Sequence, residues 1–360
     1  MMALGGRPLA AADLRHDGNI FTALRWLLAT SVMFSHGWDL TQPRPGLDPS
    51  VPVLTVTVSW LAVSLFFTLS GFLVTGSLLK RGAADFAAAR ALRLLPGLWT
   101  MIVVVVVGLW ALFGTTSLGA YLIDPLTLRY ALRNALTLGG EYRLPGMFAG
   151  QPVAAVNGSL WTIPQEVRCY AALALLALAG VLASRRVVAA AFAVAVIVHV
   201  ALPLDLVPAL IEPRRLALSF FLGVVAYQWR ERLRLSWPLA LAGAAVAVAL
   251  AHVPVGRGVA QAGLQFGFGY LVVVAAFAVP AGTKALSAAL PDYSYGIYIY
   301  AFPAQQLALA LGAGTTPLAN IAIGLTLTLP LASLSWHLVE KPALALKPRL
   351  MRRTRIEVSV

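Results

Sequence analysis

The chain has 360 residues, of which 59% are hydrophobic and only 11% charged, with a formal net charge of +13 and a mean hydropathy of +0.81. Soluble domains carry about a quarter charged residues, so this composition excludes an ordinary soluble protein and predicts a membrane protein. The single cysteine, Cys169, excludes an intramolecular disulfide and a cysteine-based zinc site.

A helix needs about 20 apolar residues to cross a bilayer. Apolar stretches recur along the chain with no hydrophilic block between them. Ten of them are candidate spans, centred on 20–39, 54–79, 96–114, 158–182, 187–204, 215–230, 237–253, 262–281, 293–312 and 317–339. The N-terminus has no apolar core followed by a small-residue cleavage site, so we expect no cleavable signal peptide. The sequence therefore predicts an all-α polytopic membrane protein with one domain over residues 1–360.

The basic residues are distributed unevenly between the segments that connect these spans. With a cytoplasmic N-terminus, 18 of the 27 Lys and Arg residues fall in cytoplasmic segments, including the tail at 343–360, and 7 fall in outer segments. This asymmetry predicts that both termini are cytoplasmic, as in a bacterial inner-membrane protein. The positive charge then reflects topology and attraction to anionic membrane lipids, and we expect no nucleic-acid partner.

Two connections have structure of their own in this interpretation. Residues 83–93 predict a short amphipathic helix that ends before Pro96 and lies on the cytoplasmic surface. The longest outer connection, 115–157, predicts a helix at 126–138 and then a loop at 139–157 that covers an outward-facing site.

Ionisable residues inside a membrane are costly, so each is a candidate functional residue. Arg25 and His36 are eleven residues apart on the first span, which places them on one helix face about 16 Å apart. A cation near the cytoplasm and an imidazole farther in suit a reaction that runs across the membrane. The alternative is that Arg25 reaches the interface and His36 caps the outer end of the helix.

Glu166 lies about two turns inside the fourth span, where a carboxylate needs a partner. One interpretation is a structural ion pair with Arg168 or with an arginine of another helix. The other is a shared cavity with a histidine, because a histidine and a carboxylate together activate a hydroxyl group.

Arg90-x-x-Arg93 places two guanidinium groups on one side of the cytoplasmic helix, and guanidinium groups match phosphate oxygens. Binding to lipid phosphates is the alternative explanation. Tyr295 and Tyr298 open the ninth span, where aromatic residues also serve as interfacial anchors. Glu340 ends the tenth span, where a plain interfacial charge is the simple interpretation.

Together and in this order, these features resemble acyltransferase family 3, a family of integral membrane acyltransferases. The resemblance covers about residues 19–342 and rests on six ordered landmarks. They are Arg25-x10-His36, Phe66-Phe67-Thr68-Leu69-Ser70-Gly71-Phe72, Arg90-x-x-Arg93 followed by Pro96, Trp161-Thr162 with Glu166 and Tyr170, Ser294-Tyr295-Gly296-Ile297-Tyr298, and Glu340-Lys341-Pro342.

The resemblance implies a ten-helix fold in which acyl-CoA, by default acetyl-CoA, reaches the site from the cytoplasm. The acceptor is then a hydroxyl of a carbohydrate or glycosylated molecule. His36 is expected to be the catalytic base, and Glu166 is expected to assist it or to orient the acceptor. Arg25, Arg90 and Arg93 are expected to contact the phosphates of CoA.

The same resemblance implies a substrate site lined by Asn157, Trp161 and Tyr295, and no metal ion is expected. The sequence departs from the family at 300–303, which read Tyr-Ala-Phe-Pro where many relatives have a histidine. We also expect no hydrolase-like outer domain of the kind some relatives carry, so acceptor binding is expected to rest on the helices and outer loops.

Two other functions fit parts of the sequence. A secondary transporter or flippase for a glycan or small polar solute explains ten helices with buried charges equally well. It does not explain the two arginine features, and the sequence has no pair of Gly- or Pro-broken half-helices in corresponding positions. A non-catalytic partner in a glycan-synthesis complex does not explain why every candidate catalytic residue is present.

Overall fold

The computed structural model describes residues 6–42, 47–203 and 206–346, and these are almost entirely helical. Arg44 and residues 347–360 of the predicted basic tail lie outside the described residues. The α-helices in chain order are α1 (Phe21–Thr41), α2 (Val51–Leu54), α3 (Val58–Arg81), α4 (Ala83–Phe113), α5 (Leu118–Ile123), α6 (Pro125–Ala135), α7 (Thr162–Leu178), α8 (Arg185–Ala201), α9 (Ile211–Gln228), α10 (Trp237–Ala251), α11 (Arg257–Phe277), α12 (Ala281–Ala289), α13 (Ser294–Ala310), α14 (Pro317–Ser335) and α15 (Lys341–Ala345).

Short elements connect these helices. A π-helical turn, Trp336–Glu340, joins α14 to α15. Two-residue strands β1 (Arg7–Pro8) and β2 (Arg234–Leu235) pair in antiparallel register. The 3-10 helices are Ala11–Leu14, His16–Gly18, Gly158–Trp161, Val181–Ala183 and Pro208–Leu210.

Each of the ten predicted spans coincides with a helix of the structure, namely α1, α3, α4, α7 to α11, α13 and α14. Among the described residues, four helical segments are long and apolar enough to cross a membrane: Val58–Arg81, Ala83–Phe113, Arg257–Phe277 and Pro317–Ala345. The all-helical class and the membrane-spanning character are therefore confirmed. The count of ten spans, the single domain and the cytoplasmic termini stay predictions.

The predicted helix break before Pro96 is wrong. Residues 83–113 form one helix of 31 residues with Pro96 inside it. Proline lacks the N–H that would bond the carbonyl of Leu92, so one helical hydrogen bond is lost. Packing supports the helix there, because a Cβ at Gly97 would lie 3.0 Å from the ring of Tyr295 and 3.3 Å from the side chain of Glu340.

The outer connection follows the prediction more closely. The helix expected at 126–138 is α6, and a shorter helix, α5, precedes it. Asp124 caps α6 by accepting a hydrogen bond from the amide of Leu126, and Pro125 occupies the first helical position, where its missing N–H costs nothing.

The chain divides into two compact units. The first contains the described parts of Met1–Val32, Pro49–Lys80 and Arg168–Pro291, and the second contains those of Met33–Asp48, Arg81–Val167 and Asp292–Val360. In the first unit α10 and α11 form a helical hairpin, and α8 packs on α9 and α11. In the second unit α13 and α14 form a hairpin, and α4 packs on α6 and α13.

An ion-pair network fastens the N-terminal segment within the first unit. Asp13 is 6% exposed and pairs with Arg7 at 2.6 Å and with Lys284 at 3.2 Å. Arg7 also donates a hydrogen bond to the carbonyl of Phe277. Burial by itself raises the pKa of Asp13, but the hydrogen bonds from Arg7, the amide of Ala10 and Lys284 outweigh it and lower the pKa to about 2. The carboxylate therefore stays ionised and holds this segment against α11 and α12.

Helices α3 and α9 approach each other so closely that glycine is required at their crossing. A Cβ at Gly71 would overlap the carbonyl oxygen of Phe220, and a Cβ at Gly223 would overlap that of Thr68. Gly71 and Gly223 therefore permit the close approach of these two helices.

We predict that Gly71→Ala lowers the free energy of unfolding by about 1–3 kcal/mol, because the new methyl group meets a backbone carbonyl that cannot rotate away. Gly108→Ala on α4 is the matched control, since a Cβ there has open space around it and alanine favours a helix by about 0.5–1 kcal/mol. Thermal unfolding of the purified protein in detergent measures both. Equal midpoints for Gly71→Ala and the wild type would contradict the close crossing.

Candidate functional site

A buried ion-pair network in the second unit joins three of the sequence landmarks. The guanidinium of Arg93 on α4 lies 2.8 Å from Oδ2 of Asp292 and 3.0 Å from Oε2 of Glu340. The side chain of Arg93 is 10% exposed and that of Glu340 is 1% exposed. Asp292 lies two residues before the start of α13, and Glu340 ends the π-helical turn after α14. The network therefore ties α4 to both helices of the α13–α14 hairpin.

The remaining carboxylate oxygens in this network also have partners. The hydroxyl of Ser294 donates to Oδ1 of Asp292 at 2.6 Å, and the hydroxyl of Ser335 donates to Oε1 of Glu340 at 2.9 Å. The Arg93 guanidinium lies 5.7 Å from the ring centroid of Tyr295 and 5.6 Å from that of Trp336. Buried charges are tolerated when they are paired and hydrogen-bonded in this way.

The surroundings of Tyr295 and Glu340 differ from the simple interfacial interpretation. Tyr295 is buried, and its hydroxyl donates to the carbonyl of Leu94 at 2.9 Å. The interpretation of Glu340 as a plain interfacial charge is wrong, because its carboxylate is buried and bonded to Arg93 and Ser335. In this structure Tyr295 holds α13 against α4, with its phenol oxygen engaged by the protein.

We predict that Glu340→Leu lowers the free energy of unfolding by about 3 kcal/mol, because it removes a carboxylate from a buried guanidinium. The double variant Arg93→Met/Glu340→Leu should lose less free energy of unfolding than the sum of the two single variants, because it removes both charges of this ion pair together. Thermal unfolding over the double-mutant cycle measures the coupling.

The control for that cycle is Asp17→Asn, which breaks the exposed pair between Arg15 and Asp17 and should leave the unfolding midpoint unchanged. Additive losses at Arg93 and Glu340 would show that the ion pair contributes nothing to the second unit.

His36 lies on α1 in the second unit, with its ring at the edge of Phe302. The two ring centroids are 5.0 Å apart and the rings are inclined at 75°. The Nδ1 atom of His36 is buried and has no hydrogen-bond partner among the described residues. A buried polar atom without a partner costs about 1–3 kcal/mol, and such atoms in native proteins point to a functional role.

Asn157 fixes the position of the turn that packs against Phe302 of α13. Pro303 inside α13 lacks an N–H and so leaves the carbonyl of Ile299 without its helical partner. The side-chain amide of Asn157 donates to that carbonyl at 2.8 Å, and its oxygen accepts from the amide of Ser159. Both ends of the Asn157 amide therefore hold α13 and the following turn, and its expected role in substrate binding stays a prediction.

The turn after Asn157 packs tightly on the same helix. A Cβ at Gly158 would lie 2.7 Å from the ring of Phe302, so only glycine lets the ring sit there beside His36. Farther along, the hydroxyls of Thr162 and Tyr298 are hydrogen-bonded at 2.7 Å.

Trp161 and Glu166 are both half-buried in the second unit, at the start of the helical segment that contains α7. Assistance to His36 and orientation of an acceptor both stay predictions for Glu166.

The predicted donor-binding arginines have different surroundings. Arg90 lies one turn before Arg93 on α4, with its guanidinium 6.0 Å from the ring of Phe86. Both terminal nitrogens of Arg93 are bonded to carboxylates. Arg25 is half-buried near the start of α1 and belongs to the first unit. There, two further landmark residues, Ser70 and Tyr170, are joined by a hydrogen bond between their hydroxyls.

Two buried glutamines of α13 were not among the residues predicted from the sequence. Gln305 donates from Nε2 to the carbonyl of Met33 on α1 at 3.0 Å. Gln306 donates from Nε2 to the carbonyls of Val153 and Ala155, each at 2.6 Å. Both are fully buried, and the signal for them was a pair of amides within a predicted span. Asp292 was not predicted either, although it lies two residues before the Ser294–Tyr298 landmark.

The sequence is similar to an acyltransferase domain family and to two curated proteins. An acyltransferase-domain family model matches residues 19–337. An O-acetyl transferase of Shigella phage Sf6 is 28% identical over 167 residues, which are 43% of this chain and 44% of that protein. Nodulation protein 10 of Rhizobium leguminosarum bv. viciae is 31% identical over 170 residues, 44% of each chain.

The matched stretch thus spans less than half the length of either curated relative. No solved structure gives a significant match to the chain. Because the family model covers nearly all of the sequence, including every landmark up to the end of α14, the chain belongs to acyltransferase family 3.

Proposed function

We propose that this protein is a membrane-bound O-acetyltransferase of the bacterial inner membrane, which transfers an acetyl group from cytoplasmic acetyl-CoA to a hydroxyl of a carbohydrate or glycosylated acceptor. The observation that carries the proposal is the half-buried imidazole of His36, whose buried Nδ1 has no partner among the described residues, in a chain of an acyltransferase family. The name of the phage relative supports acetyl as the transferred group.

In the proposed reaction His36 acts as the general base. The acceptor hydroxyl gives its proton to Nε2 of His36 while its oxygen attacks the thioester carbonyl of acetyl-CoA. Collapse of the tetrahedral intermediate breaks the carbon–sulfur bond, and the imidazolium returns the proton to the departing thiolate. Acylation of His36 followed by transfer to the acceptor is the two-step alternative. For Nε2 to accept a proton, the neutral ring must carry its hydrogen on Nδ1, the buried nitrogen.

The donor requires cations that match its phosphate groups, and we assign this role to Arg25 and Arg90. Arg93 is a positioning residue in this scheme, since Asp292 and Glu340 already bond its terminal nitrogens. It fixes the segment of α4 that contains Arg90. Trp161 and Glu166 are assigned to the acceptor, with the Glu166 carboxylate accepting hydrogen bonds from sugar hydroxyls.

We predict that His36→Ala lowers the rate of acetyl transfer by about 10²–10⁴-fold, the usual contribution of a general base. Membranes that contain the full chain are incubated with radiolabelled acetyl-CoA, and label in the carbohydrate fraction is measured. His16→Ala is the matched control, because His16 is exposed in a 3-10 helix of the N-terminal segment and should leave the rate unchanged. Near-normal transfer by a folded His36→Ala protein would remove His36 from the reaction.

A further inference from the structure

A group of arginines lies in the first unit, where α8 begins and α9 ends. Arg185, Arg186 and Arg230, with Gln228 and Glu231, line an open pocket of about 420 Å³. None of these residues takes part in the site described above. Cations gathered in one pocket repel one another unless an anion binds there, so this arrangement favours an anionic ligand.

Internal carboxylates do not balance this charge. No carboxylate among the described residues forms an ion pair with Arg185 or Arg186. Arg230 has a contact of 3.4 Å with Glu231, whose side chain is 74% exposed, and such surface pairs contribute little. The pocket therefore retains a net positive charge.

Aromatic rings hold two of the guanidinium groups in place. Arg185 lies 5.1 Å from the ring centroid of Trp229, and Arg230 lies 4.4 Å from that of Tyr227. A cation stacked on a ring keeps N–H donors available for an anion, and the planar fork of arginine suits two phosphate oxygens.

An apolar crevice adjoins this pocket. It has a volume of about 190 Å³ and is lined only by apolar side chains of α7, α8, α9 and the 3-10 helix before α8, including Leu182, Val188, Phe192 and Phe221. Leu182 and Val188 lie within three residues of Arg185 in sequence, so the crevice begins where the arginine pocket ends. An apolar cavity of about 150 Å³ holds a benzene-sized molecule, so this one accommodates a segment of hydrocarbon chain.

The surface beside the crevice is also hydrocarbon-like. Leu175 and Leu178 of α7 and Val194 and Ile197 of α8 are 59–72% exposed. Exposed apolar side chains on neighbouring helices are expected where helices face lipid, and they offer no barrier to a chain that enters from the bilayer.

We propose that the arginine pocket and the apolar crevice together bind one anionic phospholipid, with its phosphate on Arg185, Arg186 and Arg230 and part of an acyl chain between α8 and α9. A free phosphate fills only the pocket, and a neutral hydrocarbon fills only the crevice. A lipid with an anionic head group fills both, and the sequence predicts this end of α8 and α9 on the cytoplasmic side, where anionic lipids attract basic residues. The proposal does not depend on the reaction assigned to His36.

The test measures the thermal unfolding midpoint of the purified full chain in neutral detergent. Short-chain phosphatidylglycerol should raise the midpoint saturably by at least about 3 °C, because a ligand of the folded state stabilises it. Short-chain phosphatidylcholine and inorganic phosphate should give no comparable shift. Equal shifts with phosphatidylcholine would overturn the charge requirement, and an equal shift with phosphate alone would overturn the lipid.

Three variants separate the two parts of the site. Arg186→Gln/Arg230→Gln removes the charge, and Ala195→Phe fills the crevice without touching the charge. Each should abolish the shift while the midpoint without lipid stays near the wild-type value. Arg257→Gln is the matched control, because it removes an exposed arginine at the start of α11 and should keep the full shift. If either test variant keeps the shift in unfolding midpoint, the proposal is wrong. The proposal is also wrong if coenzyme A, added together with the lipid, abolishes the shift of the wild type.

Discussion

The buried guanidinium of Arg93, shared between Asp292 and Glu340, is the interaction on which the second unit depends. Removing a charged side chain from water is costly, so each buried charge needs an oppositely charged partner and further hydrogen bonds. Ser294 and Ser335 supply those bonds, and both lie on the hairpin of α13 and α14. Because a displaced partner would leave a charge buried alone, the network fixes where α13 and α14 lie along α4.

Once α13 is fixed, the surroundings of His36 follow from it. Tyr295 bonds to α4 at the beginning of α13, and Phe302 lies two turns farther on beside His36. Pro303 exposes the carbonyl of Ile299, to which Asn157 bonds, so the segment after Asn157 is held against the same helix. Asn157 and Tyr295, which are expected to bind substrate, thus hold α13 in place in this structure. In the second unit, His36 combines a buried nitrogen that has no partner among the described residues with the chemistry to accept a proton.

The sequence predicted the helical class, the position of each long helix and the candidate histidine, because hydropathy and helical spacing are local properties. The partners of Arg93 were not predictable in this way, since Asp292 and Glu340 lie about 200 and 250 residues away and no local pattern pairs either of them with Arg93. The helix break at Pro96 was expected from backbone propensity alone, and packing of Gly97 against Tyr295 and Glu340 overrode it. Ring placement beside His36 also depends on Gly158, whose role appears only in three dimensions.

Binding of acetyl-CoA to the purified full chain separates a transferase from the other two functions, because a transporter or a non-catalytic partner requires no such ligand. We expect saturable binding by the wild type and unchanged binding by His36→Ala. Arg90→Ala should weaken binding at least about tenfold, because it removes a contact with a phosphate of acetyl-CoA. Equilibrium dialysis in detergent gives the affinity, and the unfolding midpoint shows that each variant is folded. Absence of binding by the folded wild type would contradict an acetyl-CoA-dependent transferase and favour a transporter of glycans or polar solutes.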